Sequence, residues 1–128
     1  MTVEQFARLP EPIDGERLEL VRGEMVEMSR PKPRHGHICS KIDRWLGNFV
    51  EANELGWVLS NDTGVIVERD PDTVREPDLC FYSFKRMPAL PETYSELAPE
   101  LAVEVLSPDD RPSDVREKLR KYLAAGVN

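Results

Sequence analysis

A carboxylate stands in the middle of the most continuous apolar run of the chain. In "ELAVEVLS", Glu104 is surrounded by Leu101, Ala102, Val103, Val105 and Leu106. Such a run reads as a strand buried on both faces. A carboxylate is rarely buried unless it is paired or binds a metal, because stripping water from the charge is costly. A second carboxylate, Asp78, opens the apolar stretch "PDLCFYS" directly behind Pro77. Strand alternation puts Asp78, Cys80 and Tyr82 on one face, and Ala102, Glu104 and Leu106 on one face of the other strand. If the two strands are neighbours, both carboxylates converge at one edge. Two of them aimed into one core suggest a site.

The remaining segments supply the frame. "TVEQFARLP" reads as a short helix, with Thr2 and Gln5 spaced as a capping box and Pro10 as its stop. "RLELVRGEMVEMS" reads as a hairpin turning at Arg22-Gly23, with Leu18 and Leu20 in phase with Val26 and Met28. "RPKPR" is extended, because its prolines resist helix. From about residue 35 to 55 the period becomes helical: Ile38, Ile42, Trp45, Leu46, Phe49 and Val50 form one stripe, closed by Gly56. "WVLS" and "TGVIVE" read as strands and "DPDT" as a turn. The Pro-containing stretch 83–99 reads as an irregular loop, long enough to be functional or mobile. After "PDDRPSD" comes a last helix with Val115, Leu119, Tyr122 and Leu123 as its stripe and Gly126 as its cap.

This order predicts an α/β fold, and 128 residues make one domain with a real hydrophobic core. A last helix in this pattern would lead into another strand, so the domain, 1–128, is expected to lack its final strand or strands. No apolar run approaches the roughly 20 residues that span a bilayer, and "MTVEQFARLP" is not a signal peptide. Cys39 and Cys80 are too few for a disulfide framework. Both read as reduced core residues of a cytoplasmic protein. The net charge of −7 counts against nucleic-acid binding through a broad basic surface. A local strip remains: Arg30, Lys32, Arg34, Lys41 and Arg44 face only Asp43 within "RPKPRHGHICSKIDR".

Asp78 and Glu104 at one sheet edge suit a hard divalent cation, Mg²⁺ or Mn²⁺, which takes oxygen ligands. Such an ion activates water and steadies charge on a phosphoryl oxygen, so the chemistry implied is phosphodiester hydrolysis. A lysine is the natural third member. At 100° per residue the last helix places Lys118 at the edge of its stripe, able to reach inward, whereas Lys121 points away. Each residue also has a plain structural role open to it. Asp78 could cap a turn, Glu104 could pair with Lys118, and Lys118 could be a solvated helix charge. His35 lies in phase with the Ile38–Ile42 stripe, where it could meet a phosphate or simply be a hydrogen-bonded core histidine. His37 falls on the outer side. Tyr122 reads as core packing with its hydroxyl near the site, and Ser107 as part of the turn into "PDDR".

"PDLCF", "VEVLSPDDR" and "DVREKLRKYLAAGV" resemble the Uma-type endonuclease-like family of bacteria, within the PD-(D/E)xK restriction-endonuclease superfamily. The match runs from "LELVRGE" through Arg34-His35 to Gly126-Val127. Its specific part is "EVLSP" followed by Asp114, Lys118, Tyr122, Gly126 and Val127 at family spacing. The resemblance implies a restriction-endonuclease-like core, a central mixed sheet flanked by helices with an N-terminal β-hairpin extension. It also implies Asp78 and Glu104 as catalytic metal ligands. The superfamily's usual lysine position, two residues after the glutamate, is Leu106 here, and the resemblance implies a lysine displaced onto the helix at Lys118. The family normally continues past Gly126-Val127 into a further strand. Glu19 and Glu24 match family positions on the hairpin. Because Glu19 has the opposite phase to Leu18 and Leu20, a solvent-facing place is expected for it.

The reading is a metal-dependent endonuclease acting on nucleic acid, with DNA the expected substrate. The Val105 carbonyl would be a further metal ligand, and His35 and Arg34 would hold the substrate backbone. A homodimer would suit cutting both strands of a duplex. The rival is an inactive relic of the fold serving as a binding or dimerisation module.

Overall fold

The computed structural model describes residues 1–12 and 16–128. A short helix α1 (Val3–Ala7) leads into the hairpin β1 (Arg17–Val21) and β2 (Glu24–Met28), followed by the long helix α2 (Pro33–Ala52). Strands β3 (Gly56–Leu59), β4 (Val65–Glu68), β5 (Thr73–Arg75), β6 (Leu79–Ser83) and β7 (Leu101–Val103) follow, and α3 (Pro112–Ala125) closes the order. The capping box at Thr2 forms, with Gln5 N donating to Thr2 Oγ1 and Thr2 N donating to Gln5 Oε1.

The expected single mixed sheet is instead divided in two. One sheet runs β2-β1-β5-β4 and the other β3-β6-β7, and every pairing among the described residues is antiparallel. The three residues of β5 begin on the last residue of the "DPDT" turn, too short a run for strand alternation to show. Arg22 and Gly23 both have positive φ, 50° and 79°, the mirror-image geometry that matches hairpin twist. That two-residue turn pairs Val21 with Glu24, so Leu18 stands opposite Glu27 and Leu20 opposite Met25. The expected phase of Val26 and Met28 is therefore off by one. Val26 faces Glu19, and Met28 faces Arg17.

The strand buried on both faces is β4, not β7. Val65 and Val67 enter one core cluster with Cys80, Tyr82, Met87 and Tyr122. Ile66, on the opposite face, enters a second with Val3, Phe6, Leu20 and Val74. In contrast, β7 is short and lies at a sheet edge, with Leu101 exposed and Ala102 and Val103 half-buried. Helix α2 packs against β3 and buries Val50, with Ile42 and Leu46 half-buried, while Trp45 and Phe49 stand 66% and 61% exposed. Its apolar stripe is thus wider than the contact it makes. The Lys41 ammonium sits 5.0 Å over the Trp45 ring.

Residues 84–100 hold no helix and are tied down along their length. Trp57 Nε1 donates to the Met87 carbonyl at 2.7 Å, Tyr82 Oη to the Leu97 carbonyl at 3.0 Å, and Arg86 to the Ala98 carbonyl at 2.9 Å. The loop is anchored connection rather than a free lid. It returns the chain to β7 in antiparallel register with β6, pairing Leu79 with Val103 and Cys80 with Ala102. Both cysteines are free; Cys80 is buried and Cys39 half-buried. Among the described residues, no helix is long and apolar enough to cross a membrane.

Candidate active site

The register of β6 and β7 carries Asp78 and Glu104 out of the sheet together, one step past the Leu79–Val103 pair. Asp78 is held from three sides. The Val105 backbone N–H donates to its Oδ2 at 2.7 Å, His35 Nε2 lies 3.2 Å from Oδ1, and Arg17 approaches Oδ1 at 3.8 Å. Only 5% of the Asp78 side chain is exposed. Arg17 also binds Asp62 at 2.8 Å, so this arm of the site runs from Asp62 through Arg17 and Asp78 to His35.

A second arm meets the first at Glu104. The Tyr122 hydroxyl donates to Glu104 Oε1 at 2.7 Å, and Lys118 Nζ lies 3.6 Å from the same oxygen. Lys118 is also 3.6 Å from Glu19 Oε1. Glu19 in turn accepts from Arg75 at 2.8 Å and from the Glu76 N–H at 3.1 Å. The inward face of α3 is therefore Val115, Lys118, Tyr122 and Ala125, at helical spacing. Leu119 and Leu123, expected on the stripe, are 48% and 64% exposed. Lys118 takes the inward place because two carboxylates, the buried Glu19 and the half-buried Glu104, await it. Lys121 binds Glu68 at 2.8 Å, away from the site.

Glu19 corrects the solvent-facing expectation outright: it is 1% exposed. Both faces of β1 are covered at this point, because Leu20 enters the core while Glu19 meets charges from β5 and α3. Alternation identified the opposite face correctly, but nothing in the hairpin alone shows that this face is also buried.

A cleft of about 420 Å³ opens over both arms, lined by Arg17, His35, Arg75, Asp78, Glu104, Val105, Ser107 and Lys118 among others. Glu19 lies beneath this lining. Among the described residues, three buried side-chain atoms lack a hydrogen-bond partner: Arg17 Nε, Arg75 Nε and Ser107 Oγ. All three residues line this cleft, which concentrates unsatisfied donors beside the carboxylates. Arg34 is exposed on the first turn of α2 and is not part of the lining; Arg30 is. Val105 enters through its N–H to Asp78.

Burial pushes the Glu104 carboxyl up, against the opposing pull of Lys118 and the Tyr122 hydroxyl, and the Asp78 and Glu19 charges add to the rise. Burial also lifts the Tyr122 hydroxyl far above the usual tyrosine range, helped by Glu104. The hydroxyl therefore stays protonated and serves as a donor. The Cys39 thiol is pushed up to about 11 by burial and by the Asp78 and Asp62 charges. Crowded carboxylates, one of them with its proton affinity raised by burial, are a favourable place for a cation, whose charge offsets that cost. Asp78 and Glu104 offer hard oxygen donors, the set that suits Mg²⁺ or Mn²⁺.

A solved structure described as "a putative nuclease belonging to DUF820" from Anabaena variabilis ATCC 29413 is similar to this chain. The two are 21% identical over 99% of this chain and 70% of the other, with a TM-score of 0.80. That likeness shows a shared fold, an α/β restriction-endonuclease-like one. No curated protein matches the chain. The family model "Uma2: Putative restriction endonuclease" matches residues 3–128, and the chain belongs to that family.

Proposed function

We propose that the protein is a divalent-metal-dependent endonuclease, with Asp78 and Glu104 holding Mg²⁺ or Mn²⁺ and nucleic acid, DNA first, as the substrate. The observation that carries this reading is the convergence of Asp78, Glu104 and Lys118 on one cleft, from β6, β7 and α3. A bound ion would supply Lewis-acid activation of water and charge stabilisation at a phosphoryl oxygen. The Val105 carbonyl stands as a candidate further ligand beside the N–H that fixes Asp78.

The chain's own residues do the rest. Lys118, drawn inward by Glu19 and Glu104, presents a positive charge against the charge that develops on the phosphoryl group. Arg17 and Arg75 line the same cleft and add positive charge toward which a phosphate would be drawn. His35 orients Asp78 through Oδ1 and lines the cleft, where it can also meet the substrate backbone. Arg34, outside the cleft, would steer the backbone from the surface with Arg30. Glu19 is a positioning residue, acting through Lys118 and Arg75. The two free thiols support a reducing, cytoplasmic setting.

The test is nicking of supercoiled plasmid in the presence of Mn²⁺. Wild type should convert it to open circles, while Asp78→Asn and Lys118→Met should fall by roughly 100-fold or more. Equal activity in wild type and both variants would sink the proposal. An inactive binding module is the rival, and the exposed Trp45 and Phe49 on α2 favour it. A nuclease should bind nucleic acid with a steep salt dependence, and a protein-interaction module should not.

A further inference from the structure

We propose that His35, Cys39 and Asp78 form a second metal site, one that takes a borderline-soft ion such as Zn²⁺ and holds Asp78 away from the hard-ion chemistry of the cleft. His35 and Cys39 are one turn apart on α2, so both side chains leave the same face of the helix. His35 Nδ1 lies 3.6 Å from Cys39 Sγ, and His35 Nε2 lies 3.2 Å from Asp78 Oδ1. One ligand atom from each residue lies within 4.8 Å of the other two. The imidazole thus stands between the thiol and the carboxylate; an ion would take one of its two nitrogens, and the ring would turn to bring that nitrogen between Cys39 and Asp78.

The donor types separate this site from the one formed with Glu104. Imidazole nitrogen, thiolate sulfur and a carboxylate oxygen are the ligand set of Zn²⁺, whereas Mg²⁺ and Mn²⁺ favour oxygen. Binding would release the Cys39 thiol proton to solvent; the resulting thiolate and the carboxylate together balance the two positive charges of the ion, and imidazole adds a neutral ligand. Asp78 and His35 line the cleft, the side from which a water could reach the ion. Helix α2 anchors two ligands and Asp78, just ahead of β6, supplies the third, so the site joins two segments far apart in the chain. The remaining thiol, Cys80, is buried in the β6 core and takes no part.

Sharing Asp78 gives the site a consequence. An ion on His35 and Cys39 would draw Oδ1 toward α2 and compete with an ion shared between Asp78 and Glu104. That competition rests on the reading given under Proposed function; the binding of Zn²⁺ does not. The two ligand sets differ at Cys39 and at Glu104, which lets them be tested apart.

The experiment is titration of the whole chain, reduced and metal-free, with Zn²⁺ by calorimetry and with Co²⁺ by absorption spectroscopy. Wild type should bind Zn²⁺ and show the near-ultraviolet thiolate-to-cobalt charge-transfer band. Cys39→Ser should lose the band and bind Zn²⁺ roughly 100-fold more weakly or worse, while still binding Mn²⁺. Glu104→Gln should keep the band and the Zn²⁺ affinity while losing Mn²⁺. A wild-type cobalt complex without the band would overturn the proposal, whatever the variants do. So would Zn²⁺ affinity unchanged in folded Cys39→Ser. If Mn²⁺ binds to none of the three proteins while the Zn²⁺ pattern holds, the hard-ion reading fails and this one stands.

Discussion

Tyr122 donates its hydroxyl to Glu104 Oε1 at 2.7 Å, one helical turn beyond the lysine that approaches the same oxygen. The two α3 residues favour the charged form of the carboxylate, and burial outweighs them and raises its proton affinity. Replacing Tyr122 with Phe removes one of them while keeping the ring in the core. The Glu104 carboxyl should rise further, and Mn²⁺ affinity at neutral pH should fall roughly tenfold, the size of a lost hydrogen bond to a charged group. Calorimetry on wild type and Tyr122→Phe reads the difference directly.

Lys118→Met keeps the reach of the side chain and removes its charge. Cleavage should fall by roughly 100-fold or more, while Mn²⁺ remains bound because the ligands are untouched. Plasmid nicking and a parallel Mn²⁺ titration separate the two effects. Loss of metal binding together with activity would instead make Lys118 part of the scaffold.

Glu19→Gln leaves the buried Arg75 without its carboxylate partner. Breaking a buried pair from one side is costly, about 3–5 kcal/mol, so urea unfolding should shift to markedly lower midpoints. The double substitution Glu19→Gln with Arg75→Gln should recover part of that loss, since neither charge is then stranded. A single-variant effect near zero would remove Glu19 from the network.

Much of this arrangement was legible from spacing. Asp78 and Glu104 converge because two strands with those phases do pair, and Lys118 turns inward as its helical angle allowed. Glu19 was expected to face solvent, and Arg17 and Arg75 carried no signal, for one physical reason: each is covered by contacts from distant segments, which a local pattern does not contain. Arg75 rides on β5, a strand of three residues, too short for alternation to announce itself. The α3 stripe was misplaced because leucines were weighted as core, whereas charge pairing pulled Lys118 in and left Leu119 and Leu123 outside. Continuous hydrophobicity in "ELAVEVLS" likewise signalled a central strand, yet only Leu101–Val103 pairs, at a sheet edge. The strand buried on both sides was "VIVE".

Stability should fall as pH rises from about 4.5 to about 7. Burial and the neighbouring Asp62 and Glu19 charges push Glu76 up to about 7 from its usual 4.5. In that window the folded chain binds more protons than the unfolded one, so raising the pH favours unfolding. Glu104 and Asp62, also raised, contribute with the same sign. Glu76→Gln should flatten this slope, with a gain of roughly 1–2 kcal/mol at pH 8 and little change at pH 4. Urea unfolding of both proteins across that range provides the check.

The most direct measurement is calorimetric titration of Mn²⁺ into wild type, Asp78→Ala and Glu104→Ala, each first shown to be folded by circular dichroism. Binding by wild type that both substitutions abolish is the expected result, and it would tie the metal to the two carboxylates. Folded wild type that binds Mn²⁺ no better than either variant would contradict the metal-dependent mechanism.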